Sequence, residues 1–568
     1  MSDNRNMILA IVLSALVLLG WSFLSERFIP TANPPSTKVV DGKQVPLPKP
    51  LADPAADSPA AIRDRRVVLA ETPRLRIETP LLRGSINLRG ARIDDLLLLK
   101  HREGLAKSSP PIRLFSPSGA RDAYFASFGW TGEGVLLPAT DTVWTASGTR
   151  LAPGQSVTLS WNNGRGQIFQ IKLAVDDGYM FSAQQVVANA APSAIAVRPF
   201  SLISRATPSA DPSSWTTHVG PVGVFNGAAN YNFTFDDLQE EGDQRFSSTR
   251  GWLGFTDKYW LAAVIPDQRT SVEAGFLRGR TGGFQAIETP APAIVGPGKI
   301  ARYDSRLFAG AKEVKLLARY TNEQGVAKLD KAIDWGWFEW FMRPIFSLLN
   351  WLFAMIGNFG VAIIVLTIIV RGLMFPIAQR QFRSMAAMRV LQPKVKALQE
   401  RYKDDKPRMQ QEMLKLYQEE KVNPMAGCLP ILLQIPIFYA LYKVLMVAVE
   451  MRHEPFALWI KDLSAPDPLT PVNLFGYLDF TPPSFLALGI LPILLGVTMW
   501  LQFKLNPAPM DPVQQQVFSI MPWVLMFVMA PFAAGLQLYW TVSNLLTIAQ
   551  QKFLYSRYPG LAATPEAK

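Results

Sequence analysis

The 568-residue chain has one cysteine, Cys428, and three histidines, His101, His218 and His453. A single cysteine rules out an intramolecular disulfide and a cysteine-rich zinc module. The histidines lie far apart and form no HExxH-type pair. There is no GxxxxGK-S/T phosphate loop and no GxGxxG fingerprint. Most routes to an enzyme are thereby closed, and no cofactor is expected. Charge is also sparse, with 18% charged residues against 49% apolar ones. A disordered chain would show the reverse balance. The net charge is +12.

The apolar residues are unevenly spread. Met7–Leu24 is an apolar run of eighteen residues, with Arg5 before it and Glu26-Arg27 after it. At about 1.5 Å per residue it just crosses a bilayer. A cleaved signal peptide is the rival reading. The run is long, however, and no small-x-small site follows it, so residues 1–28 are read as an uncleaved signal anchor. Residues 29–65 form a Pro-rich tether, with eight prolines between 29 and 60.

From 66 to 325 the pattern turns to period two, as in Arg74-Leu75-Arg76-Ile77-Glu78 and Phe169–Val175. Asn162-Asn163-Gly164 has the composition of a hairpin turn between two such runs. This predicts a large all-β sandwich. Lys312–Arg319 reads as a closing helix. Trp335–Phe353 then carries eight aromatics in nineteen residues. We read 326–357 as an interfacial amphipathic helix, ending in a break at Asn358-Phe359-Gly360; one long kinked span is the alternative.

Residues 358–556 hold further apolar runs: Gly360–Ala378, Cys428–Val449, Phe485–Phe503, Val517–Ala530 and Ala534–Gln551. The last two are joined by Pro531-Phe532. The expected fold is thus a polytopic α-helical membrane protein of six spans plus the β-sandwich. The 379–421 loop carries eleven Lys/Arg and six acids, whereas 450–484 carries two Lys/Arg and five acids. The positive-inside rule places the first loop and the 557–568 tail in the cytoplasm. With six spans the N-terminus is there too, and the β domain is periplasmic. Met385, Met388, Leu391, Val395, Leu398 and Tyr402 recur at helical spacing, and Met409, Met413 and Leu416 continue the pattern beyond a break at Asp404–Pro407. A cytoplasmic helical hairpin follows. It either buries its own stripe or offers a Met-rich surface to nascent apolar segments. Its basic charge suits anionic lipid or ribosomal RNA.

Arg371 lies inside Val365–Phe375. It stands eight residues before Gln379, about 12 Å along a helix, while its side chain reaches roughly 6 Å. Snorkelling alone leaves the guanidinium below the surface; a wet groove open to the cytoplasm completes its hydration. The five C-terminal runs contain no Asp or Glu, which counts against ion-coupled transport. Thr367, Gln434, Thr498, Gln502, Gln537, Ser543, Asn544 and Gln550 either line such a groove or bond between helices. Pro430, Pro436 and Pro522 are expected to bend their helices.

Ile368–Pro376, Met388–Lys394, Lys421–Pro430, Gln434–Phe438, Pro455–Ile460 and Leu538–Asn544 resemble the motifs of the YidC membrane protein insertases, over nearly all of 330–556. The anchor and β domain resemble the long Gram-negative form more loosely. The resemblance implies a non-enzymatic insertase and chaperone in the inner membrane. Its implied partners are nascent membrane proteins, the Sec translocon with its accessory subunits, the ribosome and the lipid bilayer, with no DNA. It implies Arg371 and Thr367 as groove residues, with Gln434 among the substrate contacts. It also implies Leu432, Leu433, Ile435, Phe438, Tyr539 and Trp540 as an apolar slide. Lys443, also within a span, is given no role. A solute transporter and a β-domain receptor with a passive anchor are the rival classes.

Overall fold

The computed structural model describes residues 62–211, 217–279, 282–336, 338–403, 405–420, 429–478, 488–505 and 512–557, with short pairs at 39–40 and 43–44. The expected first span, nearly all of the tether, Cys428 and the C-terminal tail lie outside the described residues. The chain divides into two compact units, Met1–Asp334 and Trp335–Lys568. The division falls inside the expected 326–357 segment.

Alternation builds the first unit. In Gln167–Val175, Phe169, Ile171, Leu173 and Val175 are buried while Gln170 and Lys172 face outward. This strand pairs antiparallel with Ser156–Asn162. Their turn is the expected Asn-Asn-Gly: Asn162 accepts from the Gly164 amide at 2.8 Å, and Gly164 takes φ +70°. Two sheets result, of nine and eleven strands among the described residues. Many neighbours are distant in sequence, as Met180–Asn189 is from Lys299–Ala311. Aromatic side chains bridge the sheets, with Trp130 edge-on to Phe169 at 5.2 Å and Phe225 stacked on Phe246 at 4.0 Å. Helix α1 (Arg65–Ala70) starts at the Asp64 cap. Helix α2 (Phe235–Glu240) starts at a Thr234/Asp237 capping box. Helix α3 (Val314–Asn322) closes the unit, and the Tyr320 hydroxyl donates to Asp176 at 2.7 Å.

Polar groups also cross the sandwich. Gln185 Nε2 donates to the Gly129 carbonyl at 2.7 Å, and the Tyr303 hydroxyl donates to Glu288 Oε2 at 2.7 Å. Glu288 is fully buried. Burial pushes its carboxyl up to about 7, against the opposing pull of Ser201, Tyr303 and Arg198.

The second unit is helical. In α4 (Glu339–Ile356), Met342, Phe346, Leu349 and Leu352 point inward while Trp340, Trp351 and Met355 are exposed. It ends at Gly357 in the left-handed conformation. Asn358 then caps α5 (Phe359–Arg401), accepting from the Val361 amide at 3.0 Å. Helix α5 is 43 residues long and runs past the apolar segment into the first arm of the hairpin. The second arm is α6 (Lys406–Glu419). Leu391 and Val395 are buried, Lys394 pairs with Glu420 at 2.6 Å, and Arg401 and Arg408 each lie 5.7 Å from the Tyr402 ring. Then come α7 (Leu429–Val447), α8 (Ile490–Leu505), α9 (Pro512–Met529) and α10 (Ala534–Arg557). Among the described residues Phe359–Arg380 is long and apolar enough to cross a membrane; Leu433–Val447, Ile490–Leu505 and Ser519–Met529 are shorter apolar helices. Gln537 Nε2 closes the α9–α10 turn, donating to the carbonyls of Met529 at 2.8 Å and Phe532 at 2.9 Å.

One loop, 452–470, follows closely on the end of α7 and ties three helix starts together. Its Phe456 carbonyl accepts from Asn358 Nδ2 at 2.8 Å, and its Phe456 ring fills the space a side chain at Gly360 would need. At its start, Arg452 N donates to the Val449 carbonyl just beyond α7 at 3.1 Å. The carbonyls of Ala465 and Leu463 receive the Ala534 and Gly535 amides at the start of α10, at 2.7 and 2.9 Å. Buried Asp467 accepts from Trp459 Nε1 at 2.9 Å, from the Leu469 amide at 3.0 Å and from the Leu491 amide of α8 at 2.8 Å.

Two predictions follow from these buried carboxylates. A folded-state pKa near 7 for Glu288 means the native sandwich holds a proton that the unfolded chain releases near 4.5. That stability is fully present below about pH 4.5 and is lost as pH rises through about 7, on the order of 3 kcal/mol in all. Pulse proteolysis of the full chain in urea at pH 5 and pH 8 should show this loss, and Glu288→Gln should flatten it. An equal pH slope in the variant contradicts the assignment. Asp467→Ala strands three donors and should destabilise the helical unit by on the order of 3 kcal/mol. Thermal unfolding of the full chain in detergent reads this, and an unchanged midpoint would refute it.

Candidate functional site

The polar residues of the helical unit gather along α10. Four-residue steps place Tyr539 and Ser543 on one face of that helix. The face turns toward α5 and α7. Arg371 of α5 donates to Ser543 Oγ through Nε at 3.0 Å and through Nη2. Gln550 Nε2 reaches the Arg371 carbonyl at 3.5 Å. From α7, Gln434 Nε2 donates to the Tyr539 hydroxyl, leaving Gln434 Oε1 buried with no partner. On the other side of α10, Asn544 Nδ2 donates to Thr498 of α8 at 3.2 Å. Three helices thus converge on one seam running Gln434, Tyr539, Ser543, Arg371.

Arg371 is half-buried, and among the described residues no carboxylate lies within ion-pair distance of it. Its bonded partner is a neutral hydroxyl that is itself 1% exposed. A guanidinium so placed has no opposite charge beside it among the described residues, so its field is little offset. Both bonds to Ser543 use Nε and Nη2, and among the described residues no partner is shown for Nη1. No group of His, Cys, Asp and Glu among the described residues could hold a metal ion.

The other expected site residues fall in two groups. Phe438 of α7 meets Trp540 of α10 with ring centroids 4.9 Å apart, tilted by 62°. Leu433 and Ile435, on the same α7 stretch, are 37% and 56% exposed. These four make an apolar, accessible strip beside the polar seam. The Leu432 side chain lies outside the described residues. Tyr539 is 1% exposed, so it faces the seam with its hydroxyl and presents little ring area. Thr367 is fully buried, and its hydroxyl donates to the Ile363 carbonyl of its own helix at 2.6 Å. It therefore neither bridges helices nor opens to solvent. Lys443 is buried as well.

Ser543 stood only in the inventory of polar span residues. Its position four residues after Tyr539 was a usable signal, since it puts both on one helical face. That Arg371 lies opposite it is a tertiary fact that the local pattern does not carry.

The family described as 60Kd inner membrane protein matches residues 351–561, and the YidC periplasmic domain matches 74–348. A membrane protein insertase YidC of Zymomonas mobilis is 49% identical, over 100% of this chain and 97% of its own. One of Methylobacterium radiotolerans is 43% identical, over 98% and 95%. A solved structure of an active YidC insertase with its first transmembrane domain resolved is 18% identical, covering 84% of this chain and 91% of its own, with TM-score 0.36.

The Gln434–Tyr539 bond is the link between α7 and the seam, and it is measurable as a coupling. Gln434→Ala and Tyr539→Phe should each destabilise the chain in detergent, with a double-mutant coupling of about 1 kcal/mol. Strictly additive effects would show that the two side chains do not meet.

Proposed function

Because the chain belongs to the YidC family of membrane protein insertases, we propose that it inserts inner-membrane proteins through the Arg371 seam and assists their folding as a chaperone. The reading rests on one observation above the others. A half-buried arginine inside an apolar helix is held by a neutral hydroxyl, and among the described residues no carboxylate stands by to cancel its charge. Such a group costs several kcal/mol to hold in the hydrocarbon layer, which makes it a functional residue by default.

The polar seam takes up the hydrophilic tail of a client from the cytoplasm and shortens the apolar barrier that tail must cross. The client's apolar segment meanwhile lies against Leu433, Ile435, Phe438 and Trp540, with Leu432 and Tyr539 at the margins of that strip, and then passes into lipid. Burial of about 20 apolar residues drives the step, so no nucleotide is required. Thr367 supports the groove from inside α5, by shaping the helix wall next to Arg371.

In this reading the chain has six spans, with both termini and the α5–α6 hairpin in the cytoplasm and the β domain in the periplasm. The hairpin's exposed basic residues receive the ribosome and the emerging client. The chain works beside the Sec translocon and alone. The exposed Trp340, Trp351 and Met355 of α4 suit the headgroup level of the bilayer.

The test crosses the groove with the client. Arg371→Lys keeps the charge and should insert normally, while Arg371→Ala should fail first on clients with acidic translocated tails. Neutralising the tail should rescue Arg371→Ala. Ser543→Ala, which frees the guanidinium without removing it, should fall between wild type and Arg371→Ala, and Ser543→Thr should recover. Protease protection of the tail in proteoliposomes measures all of these. Full activity of Arg371→Ala on acidic tails would defeat the electrostatic groove.

A further inference from the structure

The first unit carries an arginine-rich face that the insertion reading leaves unused. It lies on the larger sheet, where Arg74–Glu78, Leu82–Asn87, Arg92–Arg102 and Pro111–Phe115 are neighbours and Arg150–Leu151 pairs in parallel with the first of them. Leu75 and Ile77 point into the core, so Arg74, Arg76 and Glu78 share the outer face. The register then sets the outward residues side by side. Arg76 lies opposite Ser85 and alongside Arg150; Arg83 lies opposite Glu78 and Leu97; Leu97 lies opposite Arg113.

The acids on this face are already taken. Asp95 pairs with Arg65, Asp94 with Arg74, and Glu78 with Arg150 at 3.3 Å. Arg76, Arg83 and Arg113 are exposed, and among the described residues no acid lies within ion-pair distance of them. The crowding of positive charge is felt locally. The Arg65 guanidinium holds its proton less firmly than usual, first because it is partly buried and further because Arg113 and Arg74 are near, with Asp95 opposing.

A second feature meets the charge at the same place. The Arg65–Asp95 pair seats α1 against this sheet. On and just before α1, Ile62 is 68% and Val67 52% exposed, flanking exposed Arg66. Isolated aliphatic tips among arginines suit a surface with an anionic outer layer and an apolar interior. It is also where the chain enters the domain from the Pro-rich segment that follows the first apolar run.

We propose that this face of the periplasmic domain docks on the anionic phospholipid headgroups of the periplasmic leaflet. Arg76, Arg83 and Arg113 engage the phosphates, and Ile62 and Val67 enter the layer beneath. An arginine near an anionic membrane surface contributes about a factor of five, so the three together give on the order of 100-fold in the docking equilibrium. Salt weakens it, since the screening length falls from about 10 Å at 0.1 M to about 3 Å at 1 M.

The experiment uses the full chain with Cys428→Ser and Val67→Cys, carrying a fluorophore at residue 67. It is reconstituted in nanodiscs containing a quencher lipid, either in phosphatidylcholine alone or in phosphatidylcholine and phosphatidylglycerol in equal parts. Quenching is expected with phosphatidylglycerol and not without it, and it should disappear at high salt. The triple Arg76→Glu, Arg83→Glu, Arg113→Glu variant should lose it, and the matching triple change to lysine should keep it. Equal quenching in the two lipids overturns the proposal, as does quenching that survives charge reversal. Loss in the lysine triple as well as the glutamate triple overturns it too, because charge would then not be the cause. An acidic peptide that binds this face while phosphatidylglycerol leaves the fluorophore unquenched would assign the face to a protein partner instead.

Discussion

A guanidinium inside an apolar helix needs polar partners, and in the helical unit α10 supplies the one bonded to Arg371. The four-residue period of α10 presents Tyr539 and Ser543 on one side and then sends Gln550 to the Arg371 backbone. Pairing with a carboxylate would have satisfied the charge more fully and erased its field. A hydroxyl partner orients the group and leaves it positive. The same economy recurs at Asn544–Thr498, where a neutral bond joins α8 to α10.

How far this was legible in the sequence depends on whether the information is local. Period-two alternation identified the β unit, and the Asn162-Asn163-Gly164 turn was readable because its geometry is set within three residues. In the helical unit the Gly357-Asn358 junction is set locally too, by a left-handed Gly357 and the Asn358 side-chain cap. Sheet order was not legible. Pairing Met180–Asn189 with Lys299–Ala311 joins segments more than a hundred residues apart, and alternation says which face is inward but not which strand is adjacent. Within the site, Arg371 announced itself because charge in an apolar run is costly anywhere. Ser543 did not, because a serine in a helix has several uses, and Thr367 shows the commonest of them by bonding its own backbone.

The β unit does without disulfides, although it belongs to an oxidising compartment. Its sandwich is large enough to need none, and it even tolerates polar groups between its layers. Glu288, Tyr303, Gln185 and Ser201 lie where apolar side chains would pack more cheaply. Each crosses to the opposite sheet or meets a residue that does, so they fix how one layer is aligned on the other.

The loop around Asp467 gives the helical unit a polarity of motion. It gathers the starts of α5, α8 and α10 at one level, while no comparable clasp appears among the described residues at their opposite ends. A bundle pinned at one end behaves as a clothes-peg. Separating the helices costs more hydrogen bonds at the tied level than elsewhere along them.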